Sequence, residues 1–298
     1  VQSRVGVIVP CFNQGRFAVE CLASLRAQTF GDWRAVVVND ASTDDSLDYL
    51  RPLASAQIEI VSLDHNLGRA LVRNEALRHL QDVEYVLNID CDDRLTPQFL
   101  EKLVAALDAE PRAGIAYGTL HFFGSTRPGS TSWPSTPFVR ERRYLENVIP
   151  GPGVLFRASA LARTAGWRRE FTKSSGEDWD IWLQIVNDGW EVLWVRDAIY
   201  EYRQHEQSFL AKHGNEATQV DVEINLLRHH AHFIRTSVSM RSFLSPRGVP
   251  ALLAALRRGD RRRAVQLLRP LMRHAPLVTT SLLVRHYARR LRTLLRRA

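Results

Sequence analysis

Three carboxylates, Asp90, Asp92 and Asp93, fall within four residues of one another in the stretch Asp90-Cys-Asp-Asp93. Bunched carboxylates repel, and a divalent cation relieves that repulsion. An oxygen-only donor set selects a hard ion such as Mg²⁺ or Mn²⁺, which shares its shell with a diphosphate and water. A solvated acidic turn ahead of a helix would look the same in the sequence. Asp40 and Asp44 flank Ala-Ser-Thr, where a carboxylate can accept from a pyrimidine N3–H or from ribose hydroxyls, or serve only in a turn. Glu177-Asp178-Trp179 opens a helical pattern. A carboxylate there is placed to act as a general base, although by itself an N-cap is its commoner use. His205 in Tyr202-Arg-Gln-His-Glu and Arg73 in Leu71-Val-Arg-Asn-Glu75 complete the set. The histidine suits a metal or phosphate contact and the arginine a phosphate or a carboxylate, although each has a commoner structural use.

These residues need elements to bring them together. Val5–Val9, Trp33–Val38, Ile58–Leu63 and Tyr85–Ile89 are short, β-branched, nearly continuous apolar runs. Such runs read as parallel strands buried on both faces. Helical patterns lie between and after them, at Phe17–Gln28, Ser46–Leu53 and Gly68–Leu80. Ser46 is expected to cap its helix, and Thr96-Pro97 reads as a cap followed by proline at the first helical position. Alternation of this kind predicts an open α/β sheet whose ligand site lies beyond the carboxyl ends of the strands. The polar segments sit there: Pro10–Asn13 after the first run, Asn39–Asp44 after the second, Asp90–Asp93 after the fourth.

Beyond this, Thr126–Pro152 is rich in Pro, Gly, Ser and Arg and reads as a long surface loop. Ser159–Thr164 and Asp178–Asn187 read as helices, Glu191–Val195 and Ile199–Tyr202 as strands. Residues 216–236 and 249–298 read as helices, the latter broken near Gly259 and Pro276.

Composition bounds the function class. The 298 residues carry a formal charge of +8, which invites a nucleic-acid reading. The excess is lopsided, however. Residues 241–298 hold 15 of the 40 Lys+Arg and one acid, Asp260, a net +14 that leaves the first 240 residues at −6. The three cysteines, Cys11, Cys21 and Cys91, form no CxxC pair, which argues against a disulfide framework or a thiolate zinc site. Val5–Pro10 lacks the basic lead and cleavage site of a secretory leader. The longest apolar stretches, Val249–Leu256 and Ala275–Val284, fall short of the roughly 18 residues of a membrane span.

Order and spacing add what single residues cannot. The chain carries V-I-V-P-C-F-N at 7–13, Q-T-F at 28–30, V-V-N-D-A-S-T-D at 37–44, N-L-G-R-A-L-V-R-N at 66–74 and D-C-D-D at 90–93. Further on come G-P-G-V-L-F-R at 151–157, G-E-D-W-D at 176–180 and Y-R-Q-H-E-Q-S at 202–208. With these segments in this order, the sequence resembles the family 2 glycosyltransferases over about Val5–Ser208.

The resemblance implies a GT-A fold, an open mostly parallel α/β sheet with flanking helices, over 1–210. A basic helical C-terminal extension would then occupy 211–298. It implies an inverting, non-processive enzyme that moves one sugar from a nucleotide-sugar donor, of hexosyl or N-acetylhexosaminyl type and with UDP the expected nucleotide. The acceptor is a hydroxyl of a glycan, glycolipid or other glycoconjugate, in cell-surface polysaccharide or lipopolysaccharide assembly. Pro10, Asn13, Asp40, Arg73 and Asp90 would line the nucleotide, with Asp40 at the base and Asp90 nearer the ribose. Asp92 and His205 would serve the metal, Mn²⁺ or Mg²⁺. Asp178 matches the catalytic base, with Glu177, its partner in the catalytic pair, close to the acceptor, and Gly153 and Trp179 would meet the acceptor. Asn39 stands where the family often has a second Asp, and the Q-x-x-R-W motif of processive synthases is absent.

A metal-dependent nucleotidyltransferase would share the sheet and the metal, but no glycine-rich basic loop for a triphosphate follows the first strand. An inert nucleotide- or nucleic-acid-binding protein would leave the acidic constellation unused, so no nucleic-acid partner is expected. In the tail, Leu283, Tyr287, Leu291 and Leu294 form an apolar stripe opposite Arg285, Arg289, Arg292 and Arg296. Such a helix suits an anionic membrane surface or an acidic protein body. The expected location is cytoplasmic, peripheral on the inner face of the cell membrane.

Overall fold

The computed structural model describes residues 3–124, 136–144, 146–172, 176–205, 216–237 and 249–274, with 276, 279, 280 and 283. It divides into two compact units. The first comprises residues up to 138, 148–172 and 176–212, and the second gathers 139–147 with the described helices after residue 213.

The first unit is built on strand β1 (Val5–Cys11), in which Val5, Val7, Ile8 and Val9 are all fully buried. Burial on both sides, not alternation, is what a central parallel strand requires. Each valine or isoleucine so enclosed contributes about 1.5–3 kcal/mol. β1 pairs in parallel with β2 (Trp33–Asn39) on one side and β4 (Tyr85–Asn88) on the other. β3 (Ile58–Ser62) pairs in parallel with β2 at the edge of the sheet. Helix α1 (Gly15–Arg26) buries Ala18, Cys21, Leu22 and Leu25. The short α2 (Ser46–Leu50) follows β2, and α3 (Arg69–Arg78) follows β3.

The chain goes from β1 to β2 and β3 on one side, then returns to place β4 on the other. This reversal opens a crevice at the carboxyl ends of β1 and β4, where an open α/β sheet binds its ligand. All four strands expected from the apolar runs are present and parallel.

The remaining strands are β5 (Arg94–Leu95), β6 (Ala113–Gly124), β7 (Val154–Arg157) and β8 (Glu191–Gln204). With them the sheet has eight strands in the order β3-β2-β1-β4-β7-β6-β8-β5. β7 runs antiparallel to β4 and β6, and β5 antiparallel to β8. The parallel pairings therefore hold a narrow majority, and the sheet is mixed. The two strands expected at Glu191–Val195 and Ile199–Tyr202 are one strand, β8, whose pairing with β6 slips between Tyr117 and Thr119. Gly118 sits at that slip, where an added Cβ would lie 2.2 Å from the Ala198 carbonyl oxygen. Only glycine allows so close an approach of two backbones.

Two expected helix caps are not formed. The Ser46 hydroxyl accepts from the Gly15 amide at 2.8 Å, tying α2 to α1. Helix α4 (Phe99–Ala109) starts after Gln98, and the Thr96 hydroxyl instead donates to the Ile199 carbonyl of β8. In both cases a tertiary partner wins over the local one. Helix α5 (Ala158–Leu161) follows β7, and α6 (Glu177–Asn187) precedes β8.

In the second unit α7 (Glu216–Ser237), α8 (Val249–Arg257) and α9 (Arg261–His274) pack on one another. Leu226, Leu227, Ile234, Leu252, Ala255, Leu267 and Leu271 are buried there. The break between α8 and α9 is at Gly259 (φ 70°), and Asp260 caps α9 by accepting from the Arg263 amide at 3.0 Å. Arg263 also makes a bidentate bond to Asp221 at 2.6 and 2.8 Å. Of the arginine-bearing stripe expected at the end of the chain, only Leu283 is among the described residues; the rest lies outside them. No described helix is long and apolar enough to cross a membrane.

Candidate active site

The loops at the carboxyl edge of β1 and β2 hold one another. Asn13 takes a left-handed backbone (φ 55°), which asparagine tolerates better than most residues. From there its amide donates to Ser42 Oγ at 2.9 Å and its Oδ1 accepts from the Thr43 amide at 2.8 Å. Pro10, half-buried, precedes it on β1. Asp40 is 3% exposed. Its Oδ1 accepts from the Leu67 amide at 2.6 Å and its Oδ2 from the Gly68 amide at 2.9 Å, and its carbonyl accepts from Asn66 Nδ2. The carboxylate thus fixes the turn leading into α3. A carboxylate offers about four acceptor positions, so two remain.

Asp90, Asp92 and Asp93 follow β4, with carboxylate oxygens within 4.8 Å of one another. Their wiring differs. Asp90 accepts from Arg73 at 2.8 Å. Asp92 meets His205 Nε2 at 2.8 Å and Gln14 Nε2 at 3.1 Å. Asp93 is fully buried, accepting from Tyr200 Oη and from the Arg203 amide, both at 2.7 Å. Burial, then the neighbouring Asp92 and Asp90, pushes the Asp93 carboxyl far above its ordinary range. For Asp90, burial first and the charges of Asp92 and Asp178 raise the pKa to about 6 against the lowering pull of Arg73.

Arg73 is the pivot. It is 2% exposed, and its Nε donates to Asn88 Oδ1 at 2.9 Å, Nη1 to the Arg69 carbonyl at 2.7 Å and Nη2 to Asp90. Nη1 also lies 3.7 Å from Glu177 Oε1. Fully buried Glu177 pairs with Arg69 at 2.8 Å. A buried acid in such a place persists because two guanidiniums enclose it. Next to it Asp178, half-buried at the start of α6, has its pKa raised to about 6. Burial is the main cause; Glu177 adds to it and Arg73 and Arg69 oppose it. The backbone at Gly151 passes so close to Asp178 that an added Cβ would lie 2.7 Å from Oδ2. Asp180, one turn into the helix, is spent on Arg168 at 2.5 Å.

Two loops therefore converge on the end of β4. Gly153 (φ 74°) donates its amide to the Asn88 carbonyl at 2.8 Å because β7 pairs with β4. A Cβ at Gly153 would strike the Tyr200 ring at 2.4 Å. Trp179 is 4% exposed. Among the residues nominated from the sequence, Arg73, Asp90, Glu177 and Asp178 form one connected group, and Asp92 with His205 a second. Pro10, Asn13 and Asp40 belong to the neighbouring loops. The sequence did not nominate Arg69, Gln14, Asn88, Tyr200 or Arg203. Arg69 lies inside N-L-G-R-A-L-V-R-N and Arg203 inside the His205 segment, so both stood within motifs; Tyr200 had no signal.

The donor set suits a divalent cation. It is hard oxygen from the partly accessible Asp90 and Asp92, with the His205 imidazole against Asp92. The remaining ring nitrogen of His205, Nδ1, is buried with no hydrogen bond.

Comparison with known proteins points to one family. The family model described as Glycosyl transferase family 2 matches residues 6–163. EpsE of Bacillus subtilis (strain 168), named as a glycosyltransferase, is 28% identical over 212 residues, 69% of this chain and 75% of its own. TuaG of the same organism, named as a teichuronic acid biosynthesis glycosyltransferase, is 34% identical over 207 residues, 67% of this chain and 78% of its own. Among solved structures, Staphylococcus aureus TarS 1-349 in complex with UDP-GlcNAc superposes with a TM-score of 0.66 at 18% identity, covering 92% of this chain and 82% of that one. The mannosyltransferase PcManGT from Pyrobaculum calidifontis, in complex with GDP-Man and Mn²⁺, gives 0.60 at 22% identity, covering 98% and 81%. At these identities the structural likeness is one of fold.

Proposed function

This chain belongs to glycosyl transferase family 2, and from that premise we propose that it transfers a single hexosyl or N-acetylhexosaminyl unit, with inversion, from a UDP-sugar to a glycan or glycolipid hydroxyl. The acceptor is one used in cell-surface polysaccharide assembly, and the relative TuaG is named for teichuronic acid biosynthesis. The catalytic unit is residues 1–210 and the basic helical extension 211–298. The enzyme works peripherally, on the cytoplasmic face of the membrane.

The observation that carries this reading is the single buried guanidinium of Arg73, which binds Asp90 and approaches Glu177 next to Asp178. Donor-side acid and candidate base are thereby held in fixed relation. Asp40, Asn13 and Pro10 border the nucleotide, Asp40 through the acceptor positions its backbone bonds leave unused. Asp92, with Asp90 and His205, would hold Mn²⁺ or, less well matched by the imidazole, Mg²⁺. When bound, such an ion supplies Lewis-acid charge compensation to the diphosphate.

Asp178 takes the proton of the acceptor hydroxyl on its Oδ2 side, beside the side-chain-free backbone of Gly151. The acceptor oxygen forms its bond to the anomeric carbon as the bond from that carbon to the phosphate oxygen breaks, and the nucleoside diphosphate departs with the electron pair. One displacement inverts the centre, so no protein nucleophile is used. Glu177, enclosed by Arg69 and Arg73, acts through them as a positioning residue. Gly153, seated on the Tyr200 ring, and Trp179 border the acceptor.

The test is a screen of UDP- and GDP-sugars with Mn²⁺ or Mg²⁺, scoring nucleotide release with and without glycan and lipid acceptors. Acceptor-dependent release from a UDP-sugar is expected. Pyrophosphate release from a nucleoside triphosphate, with no sugar transfer, would overturn the reading.

A further inference from the structure

Helix α9 presents three strips along its length. Ala264, Leu267 and Leu271 are buried in the second unit. Val265, Leu268 and Met272 recur at i, i+3 and i+7 beside them, yet are 46%, 38% and 41% exposed. Arg262, Arg269 and Arg273, at i, i+7 and i+11, are exposed and form the strip beyond. At the helical spacing these strips follow one another around the axis as packed face, open apolar face with exposed Arg261 at its N-terminal end, and basic face. The helix contains no acid: its sequence is RRRAVQLLRPLMRH. A water-exposed surface helix would place charged or polar groups where Val265, Leu268 and Met272 stand.

We propose that this face of α9 seats on an anionic lipid bilayer, with Val265, Leu268 and Met272 entering the acyl boundary and Arg262, Arg269 and Arg273 meeting lipid phosphates. An apolar strip bordered by guanidiniums is the arrangement that lies in a membrane interface, the long arginine stems reaching back to the headgroups. Charge decides the occupant. A second copy of this chain would bring an identical basic strip against the first, and like charges would face one another. A nucleic acid would engage the arginines but leave the apolar strip in water. The surface differs from the stretch nominated by the sequence, and it lies in elements that take no part in the chemistry. It rests on the proposed function only for its use, which is to bring the enzyme to a lipid-borne acceptor; vesicle binding and transfer to a soluble acceptor fail independently.

The full chain is floated with phosphatidylcholine vesicles with and without phosphatidylglycerol. Binding is expected only with the anionic lipid and is lost as salt rises. V265S/L268S/M272S and R262Q/R269Q/R273Q should each reduce it by about tenfold or more, with circular dichroism unchanged. Independently, Trp fluorescence of L268W should shift to the blue on adding anionic vesicles, which tests the site without weakening it. Wild-type binding by either triple variant, or no shift for L268W, would overturn the proposal. So would a wild-type dimer in sedimentation that V265S/L268S/M272S dissociates, since the strip would then be a self-association surface.

Discussion

Arg73 at the sheet edge and Arg269 on α9 are the same residue type in opposite circumstances. Arg73 is 2% exposed and every nitrogen of its guanidinium faces a named oxygen, on Asn88, Arg69, Asp90 or Glu177. Arg269 stands in water beside apolar neighbours. A buried cation is held only if its partners repay the desolvation, so it fixes geometry. An exposed one acts at a distance and is screened by salt over about 10 Å. One region is a fixed lattice of charge that chemistry can use without reorganising it. The other, on our proposal, is a surface for recognition. Net charge, +8 over the whole chain, averages the two and describes neither.

The sharpest break of this contrast is D178N. It should lower kcat by about 10²–10⁴ while donor binding, measured by equilibrium dialysis, is unchanged; full turnover would remove Asp178 from the chemistry. R73M comes next. It leaves Asp90 and Glu177 without their shared partner, and the loss of one member of a buried charged group costs about 3–5 kcal/mol. A matching drop in the urea midpoint is expected, whereas R269M should leave the midpoint in place. H205A should weaken Mn²⁺ affinity by about 10–100-fold, read by titration calorimetry, with folding intact. The smallest effect is set by pH. Burial raises Asp178 to about 6, and the base is competent only when deprotonated. kcat/KM should therefore be level above that pH and fall about tenfold per unit below it. An acid limb near pH 4 would mean that the enclosure of Asp178 is looser than described.

How far this could be read from the sequence depended on which force fixed each piece. The parallel half was legible because Val5–Val9 and Trp33–Val38 are buried on both faces and carry unbroken apolar runs. β6 was not. Its sequence, AGIAYGTLHFFG, carries glycines at both ends and one at the slip opposite Ala198, and glycine masks the strand period. β7 was read as part of a motif, and its pairing with β4 is a long-range event that local pattern does not encode. Among the site residues, carboxylates showed themselves by clustering. Tyr200, Asn88 and Arg69 gained their roles only from which strand lies beside which. The misplaced caps, Ser46 and Thr96, have the same cause: each hydroxyl was chemically able to cap, and a neighbouring element competed for it.

One phenol links the two halves of the proposed reaction. The Tyr200 ring fills the space beneath Gly153, while its hydroxyl donates to Asp93 in the acid-bearing loop. In the proposed reaction the ring is thus a strut with one end on each substrate's side. Any tilt that makes room at position 153 must strain the 2.7 Å bond at the other end. A change made for the acceptor's sake, such as Gly153→Ala, would therefore be felt as altered grip on the donor, and the two affinities cannot be tuned one at a time.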